Sequence, residues 1–164
     1  MPATALPRRL GALLITVLLT AVALLATTVL AAPDADAASK QKIRHAMKVA
    51  KNQIGDPYSY GSDGPNAFDC SGLWYYAFQE RSSVHIPRSS DDQYRYARSI
   101  PKHRMRKGDL MFFYSSGGVY HVGMFLGWTD RKRVLLHAPS TGQSVHRSKV
   151  WTRQWKAATL RPGG

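Results

Sequence analysis

The amino-acid sequence predicts an α+β domain in which an antiparallel sheet has its helices packed on one face. Beyond residue 38, the apolar residues of the first half recur at helical spacing. In the second half the period changes, and short apolar runs are separated by glycine-containing turns. Helices that come first and strands that follow are typical of an α+β domain rather than of an alternating α/β fold.

Residues 1–37 are expected to form a secretory signal peptide, and residues 38–164 the folded domain. Arg8 and Arg9 give a basic start, and residues 10–30 carry no charge. The segment Ala35-Asp36-Ala37 then matches the small-x-small pattern of a cleavage site. Because the apolar run is also long enough to cross a bilayer, an uncleaved membrane anchor is the alternative. We expect export, with membrane attachment only if this segment is retained.

Three helices are expected in the first half of the domain. Ser39 can cap the first helix, whose apolar positions follow helical spacing until Gly55 ends it. The second is expected over residues 70–79 with Asp69 as its N-cap, and the third over residues 90–97. The segment between the first two helices is rich in turn residues, and such loops on a rigid scaffold commonly carry function.

Five strands are expected in the second half. Their apolar and β-branched residues are bounded by glycine-containing turns, which is the usual strand signal. The expected ranges are 110–114, 120–126, 134–137, 143–147 and 156–160.

The charge of the chain is strongly one-sided. Lys and Arg number 23 and Asp and Glu 10, which gives a net charge of +13. For an exported protein this balance favours contact with anionic cell-wall polymers, although a basic surface without a particular partner is the alternative. Nucleic acid is not expected as a partner, since no basic helix or stacking motif of the known modules is present. We expect a monomer.

Cys70 is the one cysteine, and it stands where a glycine-rich segment meets the start of the second helix. A small secreted domain without a second cysteine cannot use a disulfide, so a lone thiol suggests chemistry. At a helix N-terminus the dipole is expected to favour the thiolate, the form that attacks a carbonyl carbon. A buried cysteine acting as a small apolar residue is the alternative.

His121 and His137 are candidate partners of this thiol. If their strands form a hairpin that turns near Asp130, the residue numbers of each pair add up to the same sum. In an even register, where that sum is even, both imidazoles lie on one face of the sheet. A one-residue slip in the pairing places them on opposite faces. In the even register His121 is then expected to act as the base and His137 to orient it. The two rings would meet the thiol if the helix bearing Cys70 packs on the same face. Structural histidines remain the alternative.

Two further residues are candidates for the site. The Tyr58 hydroxyl, with a backbone N–H at the start of the helix, could stabilise an oxyanion. Asp69 opposes thiolate formation by its charge, so it is expected to cap the helix or to receive a cationic group of the substrate. A zinc site built from Cys70 and two histidines is conceivable but not expected, because no H-x-x-x-H pair is present. We expect neither a metal nor an organic cofactor.

The residues that carry this chemistry resemble the motifs of the NlpC/P60 family of cysteine peptidases, which have a papain-like fold. Six segments occur in the family's order, and the resemblance extends over essentially all of residues 38–164. They are GDPYSYG at 55–61, FDCSGL at 68–73, PRSSDDQ at 87–93, KGDL at 107–110, HVGMFLG at 121–127 and HAP at 137–139. Tyr60, Ser62 and Lys107 depart from the family's usual Trp, Gly and Pro.

The resemblance implies an activity and a set of site residues. Cys70, His121 and His137 would form the catalytic triad, and Tyr58, Asp69 and Ser71 would bind the substrate peptide. Family members typically hydrolyse the bond between γ-D-glutamyl and diamino acid residues in peptidoglycan stem peptides. We therefore expect a secreted cysteine endopeptidase of the cell wall. A noncatalytic cationic wall-binding protein, and an N-acetylmuramoyl-L-alanine amidase or acyltransferase that uses the same thiol, are the alternatives.

Overall fold

The computed structural model describes residues 35–79 and 84–162. Three helices occur in this part of the chain: α1 (Ala35–Asn52), α2 (Gly72–Gln79) and α3 (Ser90–Tyr96). Residues 35–164 form one compact unit. The expected signal peptide falls on residues 1–37, of which 1–34 lie outside the described residues. Within the described ranges, no helix has the length and apolarity that crossing a bilayer requires.

Six strands form one sheet in which every neighbouring pair is antiparallel. Their order across the sheet is β1-β6-β2-β3-β4-β5. The bounds are β1 (Arg98–Ile100), β2 (Leu110–Ser115), β3 (Gly118–Thr129), β4 (Lys132–His137), β5 (His146–Lys149) and β6 (Trp155–Thr159). The predicted α+β class with an antiparallel sheet is confirmed.

The helices cover one face of this sheet, as the sequence predicts. Alternate residues of β2, such as Phe112, join Val122 and Met124 of β3 in a buried cluster with the apolar faces of α1 and α2. The intervening residues, such as Phe113, face the other side. There they form a second, smaller cluster with Phe125, Leu135 and Trp155. α2 is held firmly, since Leu73, Trp74, Ala77 and Phe78 are fully buried.

Several boundaries differ from those predicted. α1 already includes Ala35, four residues before the expected cap at Ser39, because the alanines before Ser39 are strong helix formers. α2 begins at Gly72, two residues after Cys70, so the cysteine lies in the turn before the helix. β5 lies three residues later than expected at its start and two at its end. β1 was not expected, because three residues are too few for an alternating pattern to be recognised.

Candidate active site

Cys70 is fixed by the turn that leads into α2. Asp69 caps this turn, because its Oδ1 accepts the backbone N–H groups of Ser71 at 3.1 Å and Gly72 at 2.6 Å. This confirms the predicted N-cap. The thiol lies half-buried against the core, close to the backbone N–H groups of Val122, Ser71 and Cys70 itself. The turn therefore presents the sulfur to the backbone of β3.

The electrostatics of this position differ from the sequence prediction. Burial raises the pKa of the Cys70 thiol, and the Asp69 carboxylate raises it further. The Val122 N–H acts in the opposite direction but does not outweigh burial. The prediction that the helix terminus favours the thiolate is therefore wrong in its net direction. At neutral pH the group is a neutral thiol that needs a base.

The two histidines form a buried pair on β3 and β4. His121 Nε2 lies 2.9 Å from His137 Nδ1, and His137 Nε2 lies 3.0 Å from the Ser148 hydroxyl of β5. If His121 donates to His137 and His137 donates to Ser148, every contact in this chain is satisfied. In that arrangement Nδ1 of His121 carries no proton and is free to accept one.

A β-bulge in β3 brings the two rings to the same face. The hairpin turns at Asp130 and Arg131, which both have positive φ, and pairs Thr129 with Lys132. Continued unchanged, that register would place the histidines on opposite faces. The irregularity at Leu126 shifts it by one residue, so that Met124 pairs with Leu136. The structure thus adopts the even register near the site.

Burial also governs the protonation of the pair. It lowers the pKa of His121 to about 4 and, with the neighbouring histidines, lowers that of His137 to about 3. Both rings are almost fully buried, at 5% and 3% exposure. At neutral pH the site therefore combines a neutral thiol with neutral imidazoles.

The thiol and the histidine pair are linked through the backbone of β3. Contrary to the expected arrangement, α2 packs on the sheet face opposite the two histidines. The Cys70 thiol instead lies at the backbone N–H of Val122, the residue that follows His121. In the described ranges no hydrogen bond is recorded between the thiol and the imidazole. Tyr120 lines the cavities on both sides of this junction.

On the thiol side lies a cavity of about 480 Å³ that brings together the predicted residues Tyr58, Asp69, Cys70 and Ser71. Burial raises the pKa of Tyr58, and the nearby Cys70 and Asp69 raise it further. Its hydroxyl therefore stays protonated and remains a hydrogen-bond donor. Arg88, to which the sequence analysis gave no role, also lines this cavity. Its position in the PRSSDDQ segment, one of the six family motifs, is the sequence feature that could have indicated a role for Arg88.

Arg88 engages the carboxylate of Asp69 with two nitrogens, at 3.0 and 2.7 Å. The same carboxylate accepts the backbone N–H of Gly61 and the Ser71 hydroxyl. Although burial opposes ionisation, the hydrogen bonds from Arg88 and Gly72 lower the pKa of Asp69. This carboxylate is thus saturated with protein donors. That it receives a cationic substrate group stays a prediction.

On the histidine side lies a cavity of about 580 Å³ whose lining includes Trp151. The indole stacks on Phe113, with centroids 4.4 Å apart, and lies 5.4 Å from the His137 ring. Neither Trp151 nor Ser148 was predicted, because both follow the assigned motifs and only the folded chain brings them to the histidines. Among residues 35–79 and 84–162, no group of three or more His, Cys, Asp or Glu could hold a metal ion.

Fold and site together define the class of protein: an α+β domain in which a thiol and a histidine pair line two cavities that share Tyr120. The chain belongs to the NlpC/P60 family, whose profile matches residues 55–163. This confirms the resemblance noted in the sequence.

Individual proteins agree with this assignment. The murein DD-endopeptidase MepH of Escherichia coli is 36% identical over 128 residues, which are 73% of this chain and 46% of that protein. The P60 domain of an antigen from M. avium subspecies paratuberculosis superposes with a TM-score of 0.66 at 35% identity, covering 76% of this chain and 98% of the domain.

A third relative is the peptidoglycan hydrolase RipB of Mycobacterium tuberculosis. Its structure has a TM-score of 0.67 at 31% identity, covering 77% of this chain and 68% of RipB. The chain spans less than half the length of curated relatives such as MepH.

Proposed function

We propose that this domain is a cysteine endopeptidase that hydrolyses peptide bonds in peptidoglycan stem peptides. The observation that carries the proposal is the Cys70 thiol at the backbone N–H of Val122, the residue after His121. The buried His121 ring contacts His137 through Nε2, so its Nδ1 lies outside that hydrogen bond. Relatives named as murein or peptidoglycan endopeptidases support the enzyme class and the substrate. The domain needs no cofactor in this mechanism.

The first half-reaction forms an acyl-enzyme. His121 Nδ1 takes the proton of the Cys70 thiol as the sulfur attacks the scissile carbonyl carbon. The new C–S bond moves the carbonyl electron pair onto oxygen. The Tyr58 hydroxyl and the backbone N–H of Cys70 are placed to stabilise this oxyanion. When the C–N bond breaks, the proton on His121 passes to the leaving amine and a thioester remains.

The second half-reaction consumes water. His121 takes a proton from the water molecule as its oxygen attacks the thioester carbon. Collapse of the tetrahedral intermediate breaks the C–S bond, releases the carboxylic acid and returns the proton to the sulfur. Throughout, the His137 Nδ1 accepts the Nε2–H of His121 and fixes its tautomer. Because His137 is neutral, it orients the imidazolium without adding a negative charge.

The two cavities suggest how a stem peptide lies in the cleft. We assign the acyl side to the cavity of Tyr58, Asp69 and Ser71, and the leaving amine to the cavity of Trp151. Our first candidate for the scissile bond is γ-D-glutamyl–diamino acid, as the family resemblance implies. A second candidate is a DD cross-link, because the E. coli relative is named a DD-endopeptidase.

We further propose that the protein acts outside the membrane, as a monomer, with residues 1–37 as the export signal. The relatives named as murein or peptidoglycan endopeptidases support an envelope location.

Digestion of defined muropeptides followed by mass spectrometry tests the proposal. Wild-type protein should release fragments cut within the stem, and Cys70→Ala should reduce the rate by at least about 10³-fold. His137→Ala should retain more activity than His121→Ala, because orienting a base is a smaller task than transferring the proton. If His121→Ala retained more activity than His137→Ala, His137 would be the base and His121 the orienting residue.

The same digestion separates the alternatives. An amidase would release whole stem peptides, whereas an endopeptidase leaves part of the stem on the sugar. Binding to intact peptidoglycan without any product would favour the noncatalytic wall-binding protein. Cleavage that survives in Cys70→Ala would contradict the mechanism outright.

A further inference from the structure

Basic residues are concentrated in the segment that follows α3, outside the two cavities of the candidate active site. Residues 98–107 contain five Lys or Arg and no Asp or Glu. The segment contains the short edge strand β1 and a 3₁₀ turn at Lys102–Arg104. Met105 packs against the smaller core cluster beneath it. The charges are therefore presented on a segment that is anchored to the sheet.

Three of these arginines surround a single cavity. It has a volume of about 360 Å³, and its lining is confined to this segment. The lining residues are Arg98, Ser99, Ile100, Pro101, Arg104 and Arg106. No carboxylate is among them, and the three arginines are exposed. We call this cavity the arginine pocket.

The acidic residues nearest in sequence are already engaged. Asp109 is buried and forms an ion pair with Arg161, while its second oxygen accepts the backbone N–H of Arg106 at 2.6 Å. Asp91 and Asp92 both pair with Arg95. Across residues 35–79 and 84–162, no ion pair involves Arg104 or Arg106. Their positive charge is therefore available to an external anion.

The arginine pocket is separate from the catalytic cleft. β1 is one edge of the sheet, and β6 and β2 lie between it and β3, which carries His121. At the usual spacing between strands, β1 lies about 14 Å from β3 across the sheet. No residue that lines the arginine pocket lines either cavity of the candidate site. An anion held in the pocket would not occupy the space that the scissile bond requires.

We propose that the arginine pocket binds phosphodiester groups of an anionic polymer attached to peptidoglycan. Guanidinium groups match the geometry of phosphate oxygens with paired N–H donors, which favours phosphate over an isolated carboxylate. This inference rests on the proposed function for its choice of polymer, since the substrate and the wall polymer occur in one structure. Binding there holds the enzyme at the wall while the cleft engages a stem peptide.

Two features of the pocket favour a wall polymer over other phosphate sources. No aromatic side chain lines it, so it lacks the stacking surfaces that single-stranded nucleic acids use. The segment also has no amphipathic helix with an apolar face for insertion into a bilayer, since its only helical turn has three residues and none is buried. The chemistry fits a flexible polyanion without bases or lipid tails.

Co-sedimentation with peptidoglycan sacculi tests the proposal in the full chain. Sacculi that carry a polyol phosphate polymer are compared with sacculi from which hydrofluoric acid has removed the phosphodiesters. Wild-type binding should fall at least tenfold on removal. The double variant Arg104→Gln/Arg106→Gln should bind the untreated sacculi about tenfold less tightly, with a weaker dependence on salt. Glycerol phosphate should compete with the wild type.

Lys48→Gln/Lys51→Gln is the matched control. Both lysines are exposed on α1, outside the pocket, and the control loses the same two charges. It should bind like the wild type if the pocket, and not total charge, is responsible. Equal losses in the two double variants would overturn the proposal. So would wild-type binding that is unaffected by removal of the phosphodiesters.

Two further measurements distinguish failure of the proposed enzymatic function from failure of the arginine-pocket proposal. Hydrolysis of a small soluble muropeptide should be the same in the pocket variant and the wild type, because the cleft is untouched. Absence of hydrolysis in the wild type, with the binding pattern retained, would reject the proposed function but not the pocket. The pocket variant could instead lose binding to phosphatidylglycerol vesicles and keep its binding to sacculi. That result would show that the pocket binds lipid, and it would overturn the proposal that it binds a wall polymer.

Discussion

At the scale of single residues, the site is controlled by burial. The Cys70 thiol has a raised pKa and His121 a lowered one, so neither group is charged at rest. In the proposed mechanism, proton transfer from the thiol to the imidazole therefore accompanies attack on the carbonyl carbon. The oxyanion that develops is then the main new charge in the cleft. Donors fixed before the reaction therefore matter most.

Tyr58→Phe tests the proposed oxyanion donor. The change removes one hydroxyl and retains the ring and the backbone N–H that donates to Gln143 at 2.8 Å. Because the raised pKa keeps the hydroxyl protonated, its loss should lower kcat by about 10²-fold with little change in KM. Steady-state kinetics on a defined muropeptide measure both constants.

Tyr60→Phe is the control for this substitution. Tyr60 lines the same cavity, but its side chain is 89% exposed. Its hydroxyl is solvated, so we expect kcat within about twofold of the wild type. Equal losses in the two variants would remove Tyr58 from the mechanism.

At the scale of elements, three pieces of backbone meet at the cleft. The Asp69–Gly72 turn carries the thiol, β3 carries His121, and the bulge at Leu126 sets the face on which His137 lies. The turn tolerates no extra atom at Gly72. A Cβ built there would lie 2.1 Å from the Ser62 carbonyl oxygen and 3.0 Å from the Asp63 Cα. Both neighbours are backbone atoms and cannot rotate away.

Gly72→Ala should therefore displace the Cys70 turn. Alanine is the better helix former, so local propensity alone would predict stabilisation. We expect instead a loss of about 1–3 kcal/mol in the free energy of unfolding and a large fall in kcat. Urea denaturation and muropeptide kinetics measure these effects.

Gly117→Ala provides the comparison. A Cβ at Gly117 would have only the Ser115 hydroxyl oxygen within contact range, at 3.9 Å. Its free energy of unfolding should change by less than about 0.5 kcal/mol. If Gly72→Ala were equally harmless, the close contact with Ser62 would not constrain the turn.

At the scale of the whole molecule, the net charge is strongly positive, whereas burial keeps two basic side chains neutral. A net charge of +13 favours adsorption to an anionic wall, yet the rings of His121 and His137 are buried and neutral. Lowering the pH adds protons to the unfolded chain before the folded one, because the folded pKa values of His121 and His137 lie below the ordinary value of 6.5. The stabilisation these residues provide is complete above about pH 6.5 and is lost toward pH 4 and below.

The stability of the fold should accordingly fall between pH 7 and pH 4.5. Each of the two histidines should contribute on the order of 2 kcal/mol to the loss. Urea denaturation at the two pH values measures it. The double variant His121→Gln/His137→Gln, whose amides do not titrate, should show a clearly smaller difference. An unchanged difference would mean that other groups control the acid sensitivity.

Much of the fold could be predicted because its signals are local. The apolar spacing of α1 and the Asp69 cap of α2 each depend on neighbours within a few positions. The same is true of the strand runs, so the α+β class followed from the chain alone. β1 was not predicted, because a three-residue edge strand is defined by its pairing with β6 and not by its own residues.

The reactive side chains of the candidate site could be predicted from the sequence, but their protonation could not. Cys70, His121 and His137 stand out as residue types in recognisable segments, and the structure places the thiol and the histidines in two cavities that share Tyr120. Arg88, Ser148 and Trp151 gain their positions from contacts made far along the chain. The direction of the thiol pKa could not be read from the sequence, because it depends on how deeply the folded chain buries the sulfur.

The sequence by itself determined the local elements, the excess of positive charge and the identity of the reactive side chains, since each is a property of a residue or its near neighbours. The tertiary structure alone decided the register, through one bulge at Leu126 that no alternating pattern reveals. It also decided which groups are neutral and which arginines share a pocket. Burial and proximity between distant segments exist only once the chain has packed.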